Sequence, residues 1–147
     1  MVKRESILDN IVTTLKGIKQ VDDYNENVGL VTREPNNWNK LLPKDKPAIM
    51  VLWRNDEKED ETIAGQYILS KLNVVLRGVY YAKDDIEGKL NDFLEDIEKI
   101  MCVDGSRGAY AEYTVPRAIM VFQGEDSYNI IFDFDFTILY TYVYGAP

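Results

Sequence analysis

The sequence predicts an α+β protein: a two-layer sandwich with two helices packed on one face of a four- to five-stranded, largely antiparallel sheet. Three observations carry that expectation. From Asn129 to Tyr144 apolar and aromatic residues occupy the even positions and alternate with Asp133, Asp135, Thr137 and Thr141, the period of two that writes one greasy face on a strand. Near the start, and again from Ile86 to Met101, apolar residues instead recur at helical spacing. The order then reads helix, strand, strand, strand, helix, strand, strand, which leaves the second sheet face to solvent or to neighbours.

In the first element Ile7, Leu8, Ile11, Val12 and Leu15 form one stripe of a helix from Arg4 to Lys16. Ser6 and Asp9 have capping-box spacing, and Gly17 suits the exit. Gln20 to Asn27 is polar and turn-like, and Val28 to Arg33 reads as a short strand. Pro35, Pro43 and the Asn36-Asn37 pair mark Glu34 to Lys46 as a loop, which Trp38, Leu41 and Leu42 are expected to pin to the core. Pro47 opens Ala48 to Arg54, a strand apolar at nearly every position and so expected to be covered on both faces. Asn55 to Glu61, with its run of carboxylates, reads as a mobile hairpin tip.

Gln66 to Tyr81 is the second long strand. Ile68, Leu72, Val74, Leu76 and Tyr80 lie on one face, and Lys71, Asn73 and Arg77 on the other. Asp84 and Glu87 resemble another capped start, followed by a helix from Ile86 to Met101 that ends before Asp104-Gly105. Ser106 to Thr114 connects it to a strand over Val115 to Gln123, and Gly124 to Ser127 turns that strand into the last one. At about 3.3 Å per residue the last strand would run roughly 50 Å, against the usual 17 to 20 Å. Its tyrosine-rich end is therefore expected to leave the domain and pack on a partner.

A chain of 147 residues is most simply one domain, 1–147. Its 25 acidic against 17 basic residues give a net charge of -8, and it has no histidine. Binding to nucleic acid draws on clustered Lys and Arg, so a phosphate-gripping role is disfavoured. The missing histidine removes the commonest general base and metal ligand. Cys102 has no disulfide partner within the chain, no secretory leader pattern opens the sequence, and no apolar run has membrane-spanning length. The expectation is a cytosolic, soluble chain with no membrane contact.

Asp133 and Asp135 form a D-x-D on one strand face, a spacing at which hard oxygens can share Mg²⁺. The plainer reading pairs them across strands with Lys71 and Arg77. Gly105-Ser106-Arg107-Gly108 could cradle a phosphate but lacks the P-loop pattern and follows a helix, so an ordinary loop is favoured. Cys102, at a helix C-terminus, reads as a packed thiol. No catalytic residue, cofactor site or metal site emerges. Tyr140, Tyr142 and Tyr144, with the acidic run Asp56, Glu57, Glu59, Asp60 and Glu61, are the candidates for a subunit or partner interface.

The opening helix Glu5 to Lys16, the strand Pro47-Ala48-Ile49-Met50-Val51, the alternation of Leu72, Val74 and Leu76, the helix Ile86 to Met101 and the strand from Ile130 cover most of the chain. In that order they resemble the tail terminator, or tail completion, proteins of tailed bacteriophages, the minor tail protein U-like group. The resemblance implies a non-enzymatic virion subunit that closes into a homo-oligomeric, usually hexameric, ring on the tail tube, ends tail elongation and offers the head a joining surface. The partners it implies are further copies of the chain, the tail tube protein and a head-completion or connector protein, with DNA passing through without specific binding. Its implied place is the head-proximal end of the virion tail, after assembly in the host cytoplasm. Another head-tail joining or neck component is the alternative, and a metal-dependent enzyme using Asp133 and Asp135 is a further one.

Overall fold

The structure, a computed structural model, describes residues 2–34, 40–59, 67–123 and 128–147. Trp38, the Asn36-Asn37 pair, Asp60, Glu61, Gln66 and the Gly124 to Ser127 turn lie outside them. Two helices, α1 (Lys3–Leu15) and α2 (Ile86–Val103), accompany strands β1 (Leu30–Thr32), β2 (Ala48–Glu59), β3 (Tyr67–Tyr81), β4 (Tyr113–Gln123) and β5 (Asn129–Val143). The strands form one sheet in the order β1-β2-β3-β5-β4, antiparallel except for the parallel pair β1 and β2. This is the α+β arrangement expected from the sequence.

The helices bury the stripes their spacing dictates. Ile7, Leu8, Ile11 and Leu15 of α1 and Leu90, Phe93, Leu94, Ile97 and Met101 of α2 share one core with Leu72, Val74 and Leu76 of β3 and with Ile130, Phe132, Phe134, Phe136 and Ile138 of β5. Phe93 meets Phe132 edge-on, with ring centroids 6.1 Å apart, an orientation favoured by the ring quadrupoles. Helix α1 starts at Lys3, so Ser6 lies inside its first turns and not at its N-cap; Asp85, not Asp84, precedes α2, and neither N-cap residue makes a side-chain cap bond. Leu42 is half exposed and does not pin its loop to the core.

The final strand needs no partner to cover its length. β3 is equally long, 15 residues, and pairs with β5 throughout, from Tyr67 opposite Val143 to Tyr81 opposite Asn129. The expected excursion of the tyrosine end is therefore corrected, because a neighbouring strand of matching length satisfies the ladder along it.

Two strands change phase part-way. In β2 the register jumps from Trp53 opposite Val74 to Asn55 opposite Asn73, leaving Arg54 as an extra residue. In β4 it jumps from Pro116 opposite Phe136 to Ile119 opposite Phe134, so Arg117 and Ala118 together oppose Asp135. Such bulges re-aim side chains and increase the local twist. Past the first bulge β2 turns its even residues, Asp56 and Lys58, toward the helices. The described part of the acidic run, Asn55 to Glu59, is thus strand and not a free tip, since it is paired with Leu69 to Asn73.

Candidate functional site

Two regions carry the features that could do something: the sheet face turned away from the helices, and the outer strand β4. On the open face Arg77 and Asp133 are register partners. Arg77 donates to both oxygens of Asp133, Nε to Oδ1 at 2.8 Å and Nη2 to Oδ2 at 3.0 Å, the forked geometry that suits guanidinium and carboxylate. Arg54, the extra residue of its bulge, lies on the same face and reaches Asp135 at 3.3 Å and Asp133 at 3.7 Å. Lys71 pairs with Glu59 at 2.5 Å, not with the D-x-D. Both aspartates are thereby held by arginines, the cross-strand reading of these charges. Among the described residues no group of three or more Cys, Asp or Glu side chains is placed to hold a metal ion.

A polar chain continues across the face. Arg117 Nε donates to Thr137 Oγ1 at 3.2 Å, Thr137 donates to Asn73 Oδ1 at 2.9 Å, and Asn73 Nδ2 donates to Asn55 Oδ1 at 2.6 Å. These groups surround a shallow depression of about 270 Å³.

The tyrosine and acidic candidates divide. Tyr140 is 2% exposed and belongs to the core. Its hydroxyl donates to Asp56, whose carboxylate also takes Lys58 at 3.1 Å and Arg4 at 3.2 Å. Burial, then the bond to Asp56, pushes the Tyr140 hydroxyl above its ordinary pKa. Burial works against the Lys58 ammonium, but its bonds to Tyr140 and Asp56 win and hold its pKa above the ordinary value. Tyr142 is half-buried, with its ring 6.0 Å from that of Tyr140, and Tyr144 and Glu57 are exposed. Asp60 and Glu61 lie outside the described residues. The Gly105 to Gly108 run is a helix stop: Asp104 accepts N–H bonds from Ser106 at 3.0 Å and Gly108 at 2.9 Å, while buried Arg107 donates to the Met101 and Asp104 carbonyls. Cys102 is exposed instead of packed, because α2 turns that side outward; partial burial, then Glu98, raises its thiol pKa.

Sequence reasoning placed a strand over Val115 to Gln123 but missed its exposed apolar edge. Ile119, Met120, Val121 and Phe122 are each between 43% and 50% exposed. Their register partners place Ile119 and Val121 on the helix side and Met120 and Phe122 on the open side. β4 is an edge strand, last in the sheet, and its outer backbone groups pair with no strand among the described residues. Pro116 was the available signal, since proline inside a strand marks an edge or a bulge.

No family model matches the sequence. Over 79 residues, 52% of the chain, it is 37% identical to the mitochondrial import inner membrane translocase subunit TIM54 of Debaryomyces hansenii, and the match covers 15% of that protein. This likeness overturns the tail-terminator reading. The hexameric ring, the tail tube and head partners, the DNA conduit, the virion location and the exclusion of membrane partners are corrected with it. The alternative neck component falls for the same reason. Two helices over an antiparallel sheet is an arrangement many unrelated functions share, and the resemblance rested on that order of elements.

Proposed function

We propose that the chain is a non-enzymatic protein-binding domain that docks an extended segment of a partner along the edge of β4, and that it serves in a protein-import assembly of the mitochondrial inner membrane. The observation that carries the docking reading is the run Ile119 to Phe122, apolar and about half exposed on both faces of an edge that pairs with no further strand among the described residues. Open apolar edges invite strand addition, in which main-chain bonds give affinity and alternate side chains give specificity. The setting is supported by the likeness to a translocase subunit over 79 residues. Among the described residues no helix is long and apolar enough to cross a membrane, so this part of the chain would meet the assembly through protein contacts of the kind β4 offers.

The test is photocross-linking to solubilised inner-membrane translocase from Debaryomyces hansenii. A photoreactive residue replacing Val121 should give a discrete adduct with a translocase subunit that unlabelled protein competes away and Ile119→Asp abolishes. The same probe at exposed Glu98 on α2 should give none. Equal labelling from both positions, or no competed adduct from Val121, would sink the reading.

A further inference from the structure

We propose that the depression between the two bulge-borne arginines, Arg54 and Arg117, is a carboxylate-binding site. Both bulges abut one row across the sheet, Trp53, Val74, Phe136 and Pro116. Each bulge contains an arginine, Arg54 in β2 and Arg117 beside Ala118 in β4, and both line the same depression on the open face. Arg54 is occupied by Asp135 and Asp133. Arg117 is not: its Nε bonds to Thr137, and it forms no ion pair among the described residues. Its terminal nitrogens remain to meet a ligand.

The other cations of this face are already paired among the described residues: Arg77 with Asp133, Arg54 with Asp135 and Asp133, and Lys71 with Glu59. Arg117 is the guanidinium beside the depression left for an added anion. A phosphate dianion would be repelled by the neighbouring aspartates, whereas a planar carboxylate matches the guanidinium fork. The volume, about 270 Å³, is below the roughly 300–1,000 Å³ of pockets for larger ligands and fits a group the size of an acidic side chain. Met120 and Phe122 share this side of β4 with the site. An acidic residue of a segment docked on β4 is therefore one source of the carboxylate, a free small carboxylate the other; the first source alone rests on the docking reading.

The experiment follows the arginine Nε–H resonances of isotope-labelled protein during titration with glutarate, with a capped peptide containing one glutamate, with its glutamine counterpart, and with inorganic phosphate. The expected result is a saturable shift at Arg117 with the carboxylate probes, about tenfold weaker or more with the glutamine peptide and with phosphate, and lost in Arg117→Gln. Arg117→Lys, which keeps the charge without the fork, should bind weakly, and Lys71→Gln elsewhere on the face should bind normally. Tighter binding of the peptide than of glutarate assigns the source to a partner chain; the reverse assigns it to a free carboxylate. Shifts that do not saturate, or that persist in Arg117→Gln, overturn the site. A failed titration with the Val121 cross-link intact would remove this site and leave the docking reading standing, and the opposite pattern would do the reverse.

Discussion

The Tyr140 hydroxyl donates to the Asp56 carboxylate, fastening the far end of β5 to the far end of β2 through a side chain only 3% exposed. Lys58 completes the knot, bonding Asp56, Tyr140 and Ser70 and lying 4.7 Å from the Tyr142 ring centroid. Tyr140, which looked like part of an outward arm, is thus an internal clasp, while Tyr144 beyond it is exposed.

Tyr140→Phe should cost about 1.5–2 kcal/mol in urea unfolding, the lower part of the range for one hydrogen bond to a charged group. Asp56→Ala should cost more, about 2–3 kcal/mol, because it strands two cations around a void; the figure is below that of a fully buried pair since Arg4 and Lys58 are 32% and 40% exposed. Equal losses for the two variants would mean that the carboxylate contributes nothing beyond its bond to Tyr140.

Alkaline pH should loosen the fold. Burial, reinforced by Glu26, raises the Tyr80 hydroxyl above its ordinary value of 10, and burial with Asp56 does the same for Tyr140. A group with a raised folded pKa gives its full stability below the unfolded value and loses it as pH climbs through the folded one. Stability should therefore fall above pH 10, in step with tyrosinate absorbance, and the fall should shrink in the Tyr80→Phe, Tyr140→Phe double variant. An undiminished fall in that variant would assign it to other groups.

The legible part of this molecule is what alternation and helical spacing dictate. The greasy face from Ile130 to Ile138, both helix stripes and the partnership of arginine with aspartate across strands could be read directly. The rest of the site could not, because it depends on the strand order, which makes β4 an edge, and on two bulges, which reset the facing of the residues beyond them. A strand's faces are assigned by counting in twos, and one inserted residue inverts every assignment beyond it. Arg54 does this in β2, which is why Asp56 and Lys58 turn to the helix side of the sheet while Glu57 and Glu59 turn to the open side. Arg117 and Ala118 do it in β4, where the alternation would otherwise have placed Ile119 and Val121 on the open face. Nor does one strand's sequence announce the length of its neighbour, so β5 read as too long until β3 was seen to match it.

Arg107 should prove to be a structural stop for α2. It is fully buried, donates to the Met101 and Asp104 carbonyls and has φ 50°, in the left-handed region. Terminal helix carbonyls need partners once water is excluded. Arg107→Ala loses those bonds while keeping the backbone strain, and should cost about 2–4 kcal/mol. Arg107→Gly loses the same bonds but relieves the strain, and should be about 1 kcal/mol less damaging. Urea midpoints in the reverse order would show that the side chain's packing, and not its bonds to the helix end, is what matters.

Gly78 should tolerate nothing larger. It lies opposite Phe132 in the sheet, and a Cβ there would meet Phe132 Cζ at 2.3 Å and the Ala48 carbonyl oxygen at 2.9 Å. The ring cannot swing aside freely, because Phe132 is fully buried and packs edge-on against Phe93. Gly78→Ala should therefore destabilise by about 2–3 kcal/mol, at the upper end of the range for overpacking. Gly105→Ala, whose nearest contact would be an ordinary 3.7 Å, should be nearly neutral and serves as the control. The decisive variant is Gly78→Ala with Phe132→Leu: removing the ring opens the space the new methyl needs, so the pair should be less destabilised than the sum of the two single changes. Simple additivity in urea unfolding would place the clash at the Ala48 carbonyl instead of at the ring.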